Sequence, residues 1–263
     1  MHRFACILFA TCCALTTGWA GGAEAEPLFR VQRLTERVVV FTELTPWESN
    51  HVVIETAEGL VLVDPGHSAL MGRLIRDAVK SELGHDRFAY VIDTHGHFGH
   101  TWGNAAFPEA MVIGHQQAAQ TMAANAATLD RRLEFFRGQL EQAEERLGEL
   151  DPDSEEEPAV LMERDHLDRI VRGLEETGFE VQPPRLTFSD ALGLDLGDLS
   201  LKMIFVGAGH SDSDIAILIP EEKVLLMGCF FLERGGLPFF GTRPELDPDR
   251  WLEVLDGLLA DDT

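Results

Sequence analysis

Three histidines fall within six residues of this chain, His95, His97 and His100, in the stretch Thr94-His95-Gly96-His97-Phe98-Gly99-His100 that directly follows the apolar run 88–92. Alternate residues of an extended segment point to the same side. His95 and His97 therefore converge beyond the end of the strand, with His100 on the turn that follows. Imidazoles converging on one point are the usual construction of a metal site. The competing reading is a polar loop that happens to be rich in histidine, and a fourth histidine, His210, placed after a later strand weighs against it.

Two further segments carry donors. Gly207-Ala208-Gly209-His210-Ser211-Asp212 follows the run 199–206, and Gly228-Cys229-Phe230-Phe231 follows 224–227. Each sets a side chain at the end of a strand, where a rigid scaffold meets a loop. His95, His97, His210 and Cys229 together make three imidazoles and a thiolate, a donor set suited to Zn²⁺. Of the remaining histidines, His67, after Asp64-Pro65-Gly66, is read either at the mouth of the site or as an ordinary surface residue. His115 is expected to support the fold or an outer contact. His51, His85 and His166 are taken as structural or solvent-exposed.

The elements that must position these side chains follow from periodicity. Short β-branched runs at 38–41, 52–54 and 60–63, separated by turn residues such as Pro46 and Gly59, predict a strand meander. The run 71–83 has Leu74, Ile75, Ala78 and Val79 at helical spacing and is stopped by Gly84. A strand at 111–113 ends at Gly114-His115. From about 116 to 177 the chain is densely charged and poor in β-branched residues. Leu133, Phe136, Leu140, Ala143, Leu147 and Leu150 recur at spacings of three and four, the segment Asp151 to Pro158 interrupts, and Leu167, Ile170 and Leu174 resume the pattern. This predicts an inserted helical hairpin, read either as a lid or homodimerisation arm or as a decoration packed on the scaffold. Strands return at 199–206, 215–219 and 224–227, and an amphipathic helix is expected at 250–259. The order implies an α+β class with two sheets packed face to face and covered by helices.

Residues 1–23 read as an export signal, with Arg3, an apolar core at 4–15 that is too short for a membrane span, and small residues at Ala20 and Ala23. The expected location is periplasmic or secreted. Cys6, Cys12 and Cys13 lie in that segment, which leaves Cys229 alone in the exported chain and no disulfide framework. The full chain has 21 basic and 45 acidic residues; loss of Arg3 with the signal leaves a net charge of −25. Such a surface repels phosphate backbones and anionic headgroups, so nucleic-acid and membrane-surface partners are not expected and a small-molecule substrate is. About 240 remaining residues suffice for one large core, predicting a single domain over 24–263.

The ordered set of motifs resembles the metallo-β-lactamase superfamily over nearly all of that domain. The residues carrying the resemblance are 61–66, the histidine cluster with Trp102-Gly103-Asn104, Gly114-His115, Gly209-His210 with Asp214-Ile215, and 220–229. It implies a four-layer αβ/βα sandwich of two mixed sheets with the metal site at one edge. It also implies His95, His97 and His210 as the first metal site, and Asp64 as an acid behind it that orients a ligand histidine or a loop amide. Three departures stand out. Gly99 replaces the aspartate that in most members binds the second metal and orients the attacking water. Cys229 stands where most members have a bridging aspartate. The closing Gly-His-Gly segment has no counterpart after His210, so a truncated C-terminus is expected.

Site two then retains only His100 and Cys229, below the three protein ligands of an ordinary catalytic zinc, so one tightly held Zn²⁺ per chain is expected. The function implied is a metallo-hydrolase in which a metal-bound hydroxide attacks an ester, thioester or lactam-type acyl bond. His100, Asp212 and Asp214 are the candidate proton shuttles. The alternatives are a metal-binding protein without hydrolytic activity and a mononuclear iron enzyme that oxidises thiols. Phe230, Phe231, Leu237, Phe239 and Phe240 are read as core in preference to an apolar wall beside the metal.

Overall fold

The structure is a computed structural model and describes residues 27–151, 154–231 and 247–260, with side chains to 257. Residues 1–23, read from sequence as an export signal and containing Cys6, Cys12 and Cys13, and the residues Leu237, Phe239 and Phe240, lie outside the described residues. No described helix is long and apolar enough to cross a membrane.

The first sheet contains seven strands in sequence order: β1 (Phe29–Arg33), β2 (Val38–Glu43), β3 (Asn50–Thr56), β4 (Gly59–Val63), β5 (Phe88–Asp93), β6 (Met111–His115) and β7 (Leu186–Phe188). β1 to β4 are antiparallel neighbours joined by short turns, whereas β4, β5, β6 and β7 run parallel. Parallel neighbours require crossovers. These are α1 (Ala69–Leu83), the short α2 (Phe98–Thr101) with a following 3₁₀ turn, and the predicted insertion, which forms α3 (Gln116–Ala126), α4 (Leu129–Glu149) and α5 (Glu157–Leu174). The hairpin is therefore α4 and α5, with α3 preceding it.

The second sheet contains β8 (Ala191–Asp195), β9 (Ser200–Gly207), β10 (Asp214–Ile219) and β11 (Val224–Leu226), in the order β11-β10-β9-β8. The resemblance implied two mixed sheets, but every pairing among these four strands is antiparallel. Their connections are short, which permits only antiparallel neighbours.

Alternation along the strands builds the layers. On β2, Val38 and Val40 face the second sheet while Val39 and Phe41 face α1; on β4, Val61 and Val63 face inward while Leu60 and Leu62 meet Met71, Ile75 and Val79 of α1. Burial on both faces explains why β2 and β4 read as unbroken apolar runs. On the far side, α6 (Pro248–Ala260) brings Trp251, Val254 and Leu255 against Val206, Ala216 and Phe230. The order is helix, sheet, sheet, helix. Phe136 and Ala143 of α4 and Leu167, Ile170, Val171 and Leu174 of α5 pack together with buried Trp102, so the insertion is fixed to the scaffold beside the histidine loop.

Candidate metal centre

Four loops meet at one edge of the sandwich, following the C-terminal ends of β4, β5, β9 and β11. They carry Asp64, the 94–100 cluster, His210 and Cys229 respectively. The donor atoms of His95, His97 and His210 all lie within 4.8 Å of one another, and so do those of His95, His100 and Cys229. His97 Nδ1 is 3.0 Å from His210 Nε2, and Cys229 Sγ is 3.2 Å from His100 Nε2. Zinc–nitrogen bonds of ~2.1 Å place tetrahedral donors about 3.4 Å apart, so these spacings are those of atoms that can share an ion. The thiol is free and half-buried.

Local bonding holds the donors in place. Asp64 takes a left-handed backbone conformation (φ 57°) at the end of β4. Its Oδ1 accepts from the Thr94 amide at 2.8 Å, and its Oδ2 from the Thr94 hydroxyl at 2.7 Å. Oδ2 also lies 3.2 Å from His100 Nδ1. This one carboxylate therefore fixes both a loop amide and a histidine. The Gly66 amide donates to the His100 carbonyl at 3.1 Å, and the Gly103 amide to the Gly66 carbonyl at 2.8 Å, which stitches the Asp-Pro-Gly turn to the histidine loop. A Cβ on Gly103 would lie 2.0 Å from the Pro65 carbonyl oxygen, so only glycine permits that approach. Next to it, Asn104 Nδ2 donates to buried Asp93 at 2.8 Å and to the Gln182 carbonyl at 2.9 Å.

The His210 loop is organised by Asp214. Its Oδ2 accepts from the amides of Gly209, His210 and Ser211 at 3.1, 2.6 and 2.8 Å, and its Oδ1 from the Ser211 hydroxyl at 2.6 Å. Burial pushes this carboxyl up to about 6 while the four donors pull the other way. The residue expected as a proton shuttle is thus surrounded by the backbone that presents His210. Asp212 accepts from Thr121 at the start of the insertion at 3.0 Å. The Gly96 amide donates to Ser213 Oγ at 3.1 Å and the Ile215 amide to the Thr94 carbonyl at 3.0 Å, joining the His95 and His210 loops directly. Thr94, Thr121 and Ser213 were not singled out from the sequence, where an isolated hydroxyl carries no signal.

The electrostatics suit a cation. Burial, followed by the neighbouring His100, His97 and His210, holds His95 well below the ordinary imidazole value, so its ring is neutral and able to ligate. At His100 burial acts in the same downward direction. The charge and hydrogen bond of Cys229, with those of Asp64, outweigh it and hold this imidazole well above its ordinary value. His95 Nδ1 lies 3.0 Å from Thr94 Oγ1, while its Nε2 is buried without a hydrogen-bond partner. Such an orphaned atom among three converging imidazoles and a thiol is what a divalent metal would satisfy, and the donor set fits zinc. A Cβ at Gly99 would meet nothing within 4 Å, so the missing acid leaves open space.

The remaining histidines fall elsewhere. His115 stacks on Phe205 with ring centroids 4.0 Å apart and caps α3, accepting from the Gln117 amide at 3.3 Å. His85 is exposed. His67 does not line the mouth of the site. It is 2% exposed and lies in a separate cluster with Glu43 and His166, since the turn after Gly66 carries it beneath α5 rather than toward the four loops. Burial holds His67 down to about 3 and His166 to about 4, against the attraction of Glu43. Burial pushes Glu43 up, yet the His51 hydrogen bond and charge, with His67 and His166, bring it down to about 2. His51 is fully buried, with Nδ1 2.5 Å from the Asp64 carbonyl and Nε2 2.9 Å from Glu43 Oε1. Phe230 is core, whereas Phe231 is 52% exposed.

Comparison with known proteins agrees with this arrangement. The chain resembles a metallo-β-lactamase from Pontibacter korlensis with a TM-score of 0.60 at 17% identity, covering 88% of this chain and 84% of that one. It resembles one from Hirschia baltica with a TM-score of 0.53 at 16% identity, covering 90% and 88%. At such identities the likeness shows the fold. A metallo-beta-lactamase type 2 of Bacteroides fragilis is 29% identical over 77 residues, a match that spans 29% of this chain and 30% of the relative. The sequence profile of the metallo-beta-lactamase superfamily matches residues 44–260, which takes in every loop of the metal centre. With the sandwich in place and the loops carrying Asp64, the histidine cluster, His210 and Cys229 all inside that match, the chain belongs to the metallo-β-lactamase superfamily.

Proposed function

We propose that this protein is a metal-dependent hydrolase of a small molecule bearing an ester, thioester or lactam-type acyl bond, with one zinc ion held tightly at His95, His97 and His210. The observation that supports this best is the convergence of three imidazoles within 4.8 Å, one of them with a buried nitrogen lacking any hydrogen-bond partner. Bound there, the ion supplies Lewis acidity and a water-derived nucleophile at neutral pH.

This chain's own residues supply the rest. Asp64 holds His100 and the Thr94 amide, which keeps the 95–100 loop in the conformation that presents its rings. Asp214 does the same for His210 through three amides. His100, paired with both Asp64 and the Cys229 thiol, is the residue in this reading that holds and moves a proton at the site. Phe98, on the turn beside the ligands, packs against Trp47 at 6.2 Å between ring centroids and gives an apolar flank for a neutral acyl group. The acidic surface and the leader-like segment 1–23 support a small-molecule substrate met outside the cytoplasm.

The test pairs zinc content with turnover of a chromogenic cephalosporin, a p-nitrophenyl ester and a thioester. Turnover that tracks zinc and is lost in His210→Ala is expected. Zinc-loaded protein that hydrolyses none of the three classes would overturn the reading. A second reading, metal binding without hydrolysis, draws support from the open space at Gly99, where no acid is available to orient water. An iron site of the facial type needs a carboxylate donor, and the donors converging on the histidine loop, His95, His97, His100, His210 and Cys229, are nitrogen and sulfur.

A further inference from the structure

A second group of buried donors contains none of the ligands of the first. Glu43 ends β2, His67 precedes α1 and His166 sits in the middle of α5; each is at most 2% exposed, and their donor atoms lie within 4.8 Å of one another. Glu43 Oε2 and both ring nitrogens of His67 and of His166 are buried with no hydrogen-bond partner. His166 Nδ1 lies 3.9 Å from Glu43 Oε2, too long for a hydrogen bond. Five buried polar atoms without partners, one from each residue converging with the other two, are not tolerated without something to satisfy them.

We propose that Glu43, His67 and His166 hold a divalent transition-metal ion, zinc by donor type, in a buried site separate from the catalytic centre. Two imidazoles and one carboxylate are a set of three protein ligands that zinc uses with a water in the fourth position. His51 prepares the carboxylate by occupying Glu43 Oε1 at 2.9 Å, leaving Oε2 toward the two imidazoles. The indole of Trp47 packs edge-on against His166 at 4.5 Å between ring centroids and closes the site. The three ligands come from the first sheet, the turn after β4 and the inserted helix, so the ion clasps the insertion to the scaffold. The clasp adjoins the catalytic centre, since His51 also contacts the Asp64 carbonyl at 2.5 Å. The rival for the charge of Glu43 is Arg169 on the same helix as His166.

Binding to the full chain tests this with Co²⁺ as the probe, after chelator treatment. The variant His95→Ala/His210→Ala/Cys229→Ala lacks the catalytic donors, and we expect it to retain one Co²⁺ per chain. Its visible spectrum should have no thiolate-to-cobalt charge-transfer band. Adding His67→Gln or, independently, His166→Gln should abolish that binding while far-UV circular dichroism stays unchanged. A folded triple variant that binds no Co²⁺ overturns the proposal and assigns the orphaned atoms to water or Arg169. Retention of the ion in both glutamine variants overturns it equally. Should one glutamine variant fail to fold, the other decides. The readout is binding, not turnover, so it stands apart from the hydrolase assignment.

Discussion

The two histidine clusters contain similar donors at similar spacing, yet they sit in opposite surroundings. His97, His100, His210 and Cys229 are only partly buried on loops at strand ends, while Glu43, His67 and His166 are sealed between the first sheet and α5. In the first cluster the neighbouring groups, Asp64, Thr94 and Asp214, fix loops in place. In the second, the neighbours exclude water. Donor chemistry alone therefore does not mark a site for reaction. Access does, and an ion without access can only stabilise.

The sharpest break between them is to disable each in turn. His97→Ala is expected to lower kcat/KM by about a thousandfold or more, a loss of ~4 kcal/mol in transition-state binding, with a melting temperature close to the parent's when both are compared free of metal. Glu43→Ala should instead cost about 3 kcal/mol of stability, because it leaves His51 Nε2 buried without its partner. Urea unfolding beside steady-state kinetics would show it, and equal loss of both properties in both variants would erase the distinction.

Acid should act on the sealed cluster first. In chelator-treated protein His67 and His166 are held below the ordinary imidazole value, near 3 and 4, so the unfolded chain binds protons that the folded one refuses. Their contribution is complete above about pH 6.5 and is lost as the pH falls toward those values, about 2 kcal/mol per histidine between pH 8 and pH 5. Glu43, lowered to about 2, adds a loss of the same sign at still lower pH. The difference in unfolding free energy between the two pH values should therefore shrink by about 2 kcal/mol in His67→Gln or in His166→Gln, and a parent protein equally stable at both would contradict the burial argument.

Within the loop cluster the positioning groups come next. Asp64→Asn keeps the shape but weakens the hold on His100 and Thr94, and a roughly ten- to hundredfold loss of zinc affinity or activity is expected, read by competition with a chromophoric chelator. The smallest effect should follow Gly99→Asp, which fills open space with a carboxylate. A gain of about tenfold in affinity for a second zinc equivalent, ~1.4 kcal/mol, would show that the site lacks only that acid; no gain would show that the loop cannot present it.

Much of the fold was readable because it follows from local pattern. The runs 38–41, 52–54, 60–63 and 88–92 all became strands of the first sheet, and Gly84 ends α1 in a left-handed conformation, φ 79°. The insertion broke from strand composition at 116 and became helices α3, α4 and α5. The donors of the loop cluster were readable because His95, His97 and His100 are close in sequence. Glu43 was not, because an acid closing the run Val38–Glu43 looks like any strand end, and its partners lie at His67 and His166. Asp214 was noticed but given a different task, since only folding shows that three amides converge on its carboxylate.

By itself, then, the sequence determined the alternation that sorts Val38 and Val40 from Val39 and Phe41, the turns that end each strand, and the clustering of three histidines on one loop. These depend on neighbours a few residues apart, which periodicity reports. Tertiary structure alone decided that His67 is buried apart from the loop cluster, that His166 of the inserted helix meets Glu43 of the first sheet, and that Asp214 serves the His210 loop. Those facts depend on which distant backbone segments pack together, and the burial that results, not residue type, sets each group's charge and task.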